Sequence, residues 1–351
     1  MPSETLSQIP ADAIVLCRPD RVGDAIIASA CFPAVHEKFP GRPLYYLARE
    51  VMAPLYEGHP LLAGFLPRPE SAPGLVKKLQ EIRASIIVHL HPDPLCYRAA
   101  WTAGVEQRIG YSHWLGWSLT QSRPDDRSAG LQHERDYNFD LLALLGIENR
   151  GDTRPTVHLP PAACDRLREI VAGAGWEGRE PYAVINPSAH SATLRWPPER
   201  FAALAERLHT AYGWHIVLTS GGESDPSVQR MREVLGDAPW AIDLSGQTNL
   251  AETGWLLRGA RLLVGRDTGT SHLAAAVNCP TVTIFGRLES TYGPTRWGAL
   301  AAPAQGRIVE TPVVERQRFE GTQAFWARGF DSISVDQVFA AAAELASAER
   351  T

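Results

Sequence analysis

From residue 182 to residue 285 the sequence alternates short apolar runs with amphipathic stretches, and no other feature restricts the fold so tightly. The pattern predicts strand 182–186, helix 198–212, strand 215–219, helix 226–235, strand 240–243, helix 250–258, strand 261–264, helix 271–277 and strand 281–285. Apolar strands joined by amphipathic helices must run parallel, because each helix returns the chain to the same end of the sheet. Four such strand-helix repeats in a row specify a doubly wound α/β sheet.

A fainter version of the pattern opens the chain. Strand 13–17 leads into the polar turn Arg18 to Asp24, then a helix over 25–39 that Pro40-Gly41 terminates. Apolar segments at 43–48 and 85–90 flank a helical pattern over 74–83. The run IENRGDTRPTVHLPPAA, rich in turn formers, then breaks the alternation. We therefore expect two domains, 1–155 and 156–351, with a C-terminal amphipathic helix over 334–350 free to pack back on the first. Ligands of open α/β sheets bind beyond the carboxyl ends of the strands, so the functional residues are sought in strand-exit loops.

Composition narrows the function. A chain of 351 residues with 44% hydrophobic content can fill two cores. The balance of 34 basic and 39 acidic residues, net charge -5, argues against nucleic acid as a partner. An anionic ligand must then be met by local charge. Five scattered cysteines, with no Cys-x-x-Cys pair, suggest neither a disulfide framework nor zinc and fit a reducing cytoplasm. No basic leader is evident, and no window approaches the ~18 apolar residues of a spanning helix, although contact with a membrane surface stays open.

Three strand-exit loops of the second half stand out. In Gly265 to His272 the glycines allow close approach, while Thr268, Thr270 and Ser271 bring hydroxyls to the free N–H groups of a new helix. Such a corner suits a phosphate, and it also suits an ordinary helix cap by Thr270 or Ser271. Asp267 and His272 flank it, and no Walker-type or Gly-x-Gly-x-x-Gly loop competes. A helix dipole contributes only about 0.3–2 kcal/mol, so a diphosphate needs a cation. Arg195, in the loop after residue 186, is the candidate, its alternative being a surface arginine. Glu223, after two glycines, can accept from a sugar's hydroxyls or stand in solvent. No paired Asp-x-Asp appears in these loops, so no metal or other cofactor is expected.

In the first half, Asp24 follows Gly23 at the start of an apolar helix and reads as a cap or as a general base. His89 and His91, on one strand face, lack a third local ligand with the nitrogen character of a zinc site; with Arg18, Arg21, Arg98 and Arg108 they are read as acceptor-side groups. The aromatic group Tyr111, Trp114 and Trp117 fits the core or the lining of that acceptor side equally well.

The sequence at this point resembles glycosyltransferase family 9, the ADP-heptose:lipopolysaccharide heptosyltransferases. RPDRVGDAIIASACFPAVHEKFPG is similar to the family's opening loop and helix, INPSAHSATLRWPPERFAALAERL to its donor-loop segment, and GRDTGTSHLAAAVNCPTVTIFG to its most diagnostic block. The resemblance implies a GT-B type α/β fold of two facing Rossmann-like domains with mostly parallel sheets. It implies an acceptor-binding N-terminal domain and a nucleotide-sugar-binding C-terminal one. By position, Asp24 matches the catalytic base, Glu223 the acidic donor contact, and Asp267, Thr268, Gly269 and His272 the diphosphate and sugar site. The family is inverting and metal-independent. Three departures stand out: Leu194 replaces the usual lysine before Arg195-Trp196-Pro197, Thr270-Ser271 replaces Pro-Met, and Arg266 replaces Asn or Ser.

The expectation is therefore transfer of heptose from ADP-heptose to a lipopolysaccharide inner-core acceptor, in the cytoplasm or at the inner face of its membrane. Two alternatives stay open: another nucleotide sugar or a protein acceptor within the same family, and a nucleotide-sugar-binding protein without turnover.

Overall fold

The computed structural model describes residues 12–112, 114–188, 195–222, 225–286, 290–302, 304–311 and 329–347. The chain divides into two compact units, and the division does not follow the sequence in one cut. Residues 1–20, 31–125 and 138–150 form the first unit; residues 21–30, 126–137 and 151–351 form the second.

The first unit is built on a six-stranded sheet in the order β3-β2-β1-β4-β5-β6. Its strands are β1 Ala13–Cys17, β2 Leu44–Ala48, β3 Gly64–Pro67, β4 Ala84–His89, β5 Gln107–Ser112 and β6 Gln121–Pro124, every neighbouring pair parallel. Helices α4 (Ala72–Glu81) and α5 (Pro94–Thr102) pack side by side. Leu75, Leu79, Cys96, Ala99 and Ala100 from these helices share a core with Val15, Leu47, Leu66 and Ile87 of the strands. Asp93 starts α5 by accepting from Cys96 N–H at 2.9 Å, which satisfies one of the helix's open donors.

The second sheet, in the order β12-β11-β10-β7-β8-β9, is again all parallel. Its strands are β7 Tyr182–Asn186, β8 His215–Leu218, β9 Ala241–Asp243, β10 Leu262–Arg266, β11 Thr281–Phe285 and β12 Gly306–Glu310. Each sheet steps outward in one direction and then returns to the other side of its first strand, so its switch point lies beside that strand: β1/β4 in one, β7/β10 in the other. At the second switch point Gly265 pairs with Asn186.

Burial explains why β7, β10 and β11 are almost wholly apolar: helices cover the sheet. Helix α8 (Pro198–Tyr212) contributes Phe201, Leu204 and Leu208 to a core shared with Trp196, Ile185, Val264 and Ile284. The C-terminal helix Val335–Ser347 packs on α8 and on β10, β11 and β12 of this same sheet. Its Val338, Ala342 and Leu345 are buried there. Trp196, fully buried, fastens its approach by donating its indole N–H to Ile333 O at 2.8 Å. Among the described residues no helix is long and apolar enough to cross a membrane.

Candidate functional site

The site assembles in the second unit, around the exit of β10. The strand continues through Gly265 and Arg266, and helix α11 (Gly269–Ala276) begins two residues after it ends. Gly265 keeps this crossing open: a side chain there would stand 3.2 Å from Asn186 O in the neighbouring strand, a tight contact. Only Asp267 and Thr268 are left to turn the corner.

Thr268 is the N-cap of α11, with extended backbone, yet its hydroxyl makes no capping bond. That Oγ1 is buried and unpaired. Neither Thr270 nor Ser271 closes the helix end: Ser271 Oγ donates back to Arg266 O at 2.5 Å, and Thr270 Oγ1 accepts from Asn186 Nδ2 at 3.3 Å. The first N–H groups of α11 are therefore not capped by the hydroxyls the sequence offered for the purpose.

A second helix start meets this one. Helix α1 (Val22–Ala28) begins earlier than its hydrophobic pattern suggests, so Gly23 and Asp24 lie within its first turn and Arg21, exposed, is the N-cap. Asp24 is thus not the capping residue; it is buried within the first turn, where a carboxylate also favours the helix dipole. Gly23 lies against α11. A methyl group on Gly23 would stand 2.8 Å from His272 Cδ2, and one on Gly269 would stand 2.7 Å from Val22 Cγ1. Two glycines, one in each helix, permit this approach.

His272 is buried, with Nε2 3.4 Å from Asp267 Oδ1 and Nδ1 lacking any hydrogen-bond partner. A carboxylate only accepts, so a neutral ring that donates from Nε2 keeps a lone pair on Nδ1. Asn186 donates from Nδ2 to both Thr219 Oγ1 and Thr270 Oγ1 at 3.3 Å, tying together the exits of β7, β8 and β10. Its Oδ1, and Ser188 Oγ just beyond it, are also buried and unpaired. Polar atoms left this way cost about 1–3 kcal/mol each, and four of them gather on the exits of β7 and β10. Asn186 and Ser188 were not singled out by the sequence, although a polar residue ending an otherwise apolar strand was the available signal.

Arg195 donates to Ser227 Oγ at 3.4 Å, in the first turn of α9 (Pro226–Leu235). Glu223 and residues 189–194, including Leu194, lie outside the described residues.

A further ionic cluster braces the same unit. Glu134, with no exposed surface, accepts from Arg296 Nε at 2.8 Å and pairs with Arg127 Nη1 at 3.2 Å. Arg296 also donates to Arg127 O at 2.8 Å. Beside it His133 Nε2 donates to Gly298 O at 2.8 Å, and Nδ1 accepts from Arg135 N–H at 3.0 Å. Burial, chiefly, brings His133 down to about 4, opposed by the Gly298 bond and assisted by nearby His272. Segment 126–137 is thereby fixed to the stretch around α12 (Pro294–Trp297). Residues this far apart in sequence gave no local sign of one another.

The acceptor-side candidates belong to the first unit, apart from Arg21, and they scatter in role. Arg18 is buried and bound into the fold, donating to Asp20, Leu90 O and Asn138 at 2.8–3.0 Å. It is structural in these contacts rather than an open cation. His91 lies 3.3 Å from the same Asp20 and is partly exposed. His89 ends β4 fully buried, against the Tyr97 ring at 4.5 Å, with both ring nitrogens unpaired. Burial, against the pull of Asp93, lowers it to about 3. The two histidines therefore do not share one strand face: β4 stops at His89, and Asp93 is occupied by Arg68 and the α5 cap. Arg98 is exposed on α5, and Arg108 donates to Ser118 O at 2.6 Å.

Comparison with known proteins follows the same lines. Residues 118–320 match the model of glycosyltransferase family 9 (heptosyltransferase). A lipopolysaccharide heptosyltransferase 3 of Escherichia coli is 33% identical over 156 residues, 44% of this chain and 45% of its own length. The matched stretch thus spans somewhat under half of that relative. A crystal structure of a family 9 glycosyl transferase from Veillonella parvula superposes with a TM-score of 0.80 at 21% identity, covering 96% of this chain and 98% of that one. An E. coli heptosyltransferase solved with ADP gives 0.69 at 17% identity, covering 95% and 99%.

Proposed function

Because the chain belongs to glycosyltransferase family 9 and has its GT-B-like α/β fold, we propose that it transfers heptose from ADP-heptose to a lipopolysaccharide inner-core hydroxyl. In this reading the reaction inverts the anomeric carbon, needs no metal ion, and takes place in the cytoplasm against the inner face of its membrane. The observation that carries the reading is the packing of the Asp24 helix start on α11 through Gly23, Gly269 and His272. Beside it stand the buried, unpaired Thr268 Oγ1, Asn186 Oδ1, Ser188 Oγ and His272 Nδ1.

Asp24 removes the proton of the acceptor hydroxyl as its oxygen attacks the anomeric carbon and the bond to the diphosphate breaks. Charge then builds on the departing diphosphate. The N–H groups opening α11 and the Thr268 hydroxyl receive that charge, and their fixed orientation spares reorganisation during the reaction. Arg195, whose bond to Ser227 is long and readily exchanged, supplies the cation that a helix end alone cannot. Asp267, His272 and Glu223 hold the sugar hydroxyls, with His272 Nδ1 accepting.

The test is ADP release from ADP-heptose with a deacylated lipopolysaccharide core, with and without EDTA. Asp24→Asn should lower turnover at least about 100-fold while the thermal shift given by ADP-heptose persists. An active Asp24→Asn enzyme would remove Asp24 from the mechanism. Binding without ADP release by the wild type would leave a nucleotide-sugar-binding protein, and a larger thermal shift from another nucleotide sugar would replace the donor.

A further inference from the structure

The unpaired atoms at the exits of β7 and β10 differ in what they can bind. Thr268 Oγ1 and Ser188 Oγ carry a proton and can donate to a phosphate oxygen, whereas Asn186 Oδ1 and the lone pair of His272 Nδ1 can only accept. A diphosphate offers acceptors alone and leaves the last two unmet. Each needs an O–H or N–H donor from another part of the ligand.

Helix α11 separates these two acceptors. Thr270 and His272 are two positions apart in its first turn, and residues at that spacing point to different sides of a helix. His272 faces the start of α1, where Gly23 and Asp24 lie. Thr270 faces β7, where Asn186 reaches it at 3.3 Å. Strand alternation agrees: Ile185 points into the α8 core, so Asn186 after it points to the side of α11. With a diphosphate on the N-terminus of α11, the transferred sugar belongs on the Asp24 side and the nucleoside on the Asn186 side. The row of unmet groups continues that way. Ser245, just past β9, is 5% exposed and its Oγ is buried and unpaired. From β10 to β9 is three strand spacings, about 14 Å, a span that exceeds a diphosphate alone and suits a nucleoside diphosphate.

Two threonines hold the amide. Asn186 is 4% exposed, and the two N–H groups of Nδ2 go to Thr219 Oγ1 and Thr270 Oγ1, each at 3.3 Å. The amide plane is thereby fixed between the exits of β8 and β10, and Oδ1 is the atom left to a ligand. We infer that Asn186 Oδ1 accepts a hydrogen bond from a ribose hydroxyl of the bound nucleotide, so that Asn186, oriented by Thr219 and Thr270, selects a ribonucleotide over a deoxyribonucleotide. The inference rests on the donor reading of this site and adds to it the group that the nucleoside must present. The ribose adjoins the diphosphate, and Asn186 adjoins the helix that holds it, so the ribose rather than the base lies within reach.

Titration calorimetry of the full-length protein with ADP, 2′-deoxy-ADP, 3′-deoxy-ADP and inosine diphosphate tests it. The wild type should bind ADP at least about tenfold more tightly than one of the two deoxy analogues, because the missing hydroxyl leaves Oδ1 unmet. Asn186→Leu, of similar size and without an acceptor, should bring that ratio close to one while leaving the ratio of ADP to inosine diphosphate affinity as in the wild type. Thr270→Val, which keeps the branched shape without the hydroxyl, should reduce the same ribose ratio. Circular dichroism and urea midpoints near the wild type's establish that both variants fold; if Asn186→Leu does not, Thr270→Val alone decides. A merely structural Asn186 would weaken ADP and the deoxy analogues equally, and that result overturns the inference. A wild type that does not discriminate against either deoxy analogue overturns it too, as does a ribose ratio that survives in the folded variants or a loss confined to the inosine comparison. Absent ADP binding would remove the donor reading and this inference together. Ribose selectivity lost in Asn186→Leu, with no ADP released from ADP-heptose by the wild type, would remove transfer alone.

Discussion

Replacing Gly23 by alanine tests the meeting of α1 and α11 by the sign of its effect. Gly23 lies in a helix with ordinary negative φ, so alanine should by itself stabilise that helix by up to about 1 kcal/mol. The added methyl, however, stands 2.8 Å from His272 Cδ2, 3.4 Å from its Nε2 and 3.5 Å from Gly269 Cα. His272 is 2% exposed and has little room to turn away. Overpacking of this kind costs about 1–3 kcal/mol, so the clash outweighs the propensity gain and Gly23→Ala is expected to destabilise by roughly 0.5–2 kcal/mol. In a His272→Ala background the obstacle is gone, and the same substitution should become neutral or stabilising. Urea unfolding of the four proteins, compared at a common slope, measures the coupling, expected at about 1–3 kcal/mol. Gly23→Ala should also weaken ADP-heptose binding, because the ring can yield only by leaving Asp267. Equal stabilisation by Gly23→Ala in both backgrounds would refute the contact and with it the placement of Asp24 beside α11.

The other predictions concern the interior. Folded His133 titrates at about 4, below its ordinary 6.5, so the unfolded chain takes up the extra proton between these values and stability falls as pH drops through that window. His133→Gln, whose Nε2 can still donate to Gly298 O, should flatten the slope of unfolding free energy over that range. Arg296→Met leaves Glu134 buried with only part of its charge compensated and should cost about 3 kcal/mol in urea unfolding. His89→Leu removes two unpaired buried nitrogens and should raise stability by about 1 kcal/mol, read as a higher thermal midpoint.

The repeating sheet was legible where burial is strongest. Strands β7 and β11 and helices α8 and α9 have the limits their apolar periodicity predicts. Strand β5 and edge strand β6 escaped notice because QRIGYS and QSRP carry few buried side chains; pairing of β5 with β4, and of β6 with β5, makes them strands. At the β10 exit the sequence suggested eight loop residues, but pairing of Gly265 with Asn186 and of Arg266 with Ile284 extends the strand. Tertiary pairing there overrides a local preference for a turn. Gly23 and Gly269 each look like a helix-start glycine; that each makes room for the other's helix depends on folding, as does the Arg127, Glu134 and Arg296 cluster.

The interleaved division of the chain bears on how such a protein can be recombined. A graft joined at Gly151 would import the strands and helix that carry Asp267 and His272 while keeping the recipient's own residues at 21–30 and 126–137. The donor histidine would then face a foreign partner at position 23, and any residue larger than glycine would push against its ring. Chimeras exchanged by halves inherit the site in fragments, whereas those that carry 21–30 and 126–137 along with the second half inherit it whole.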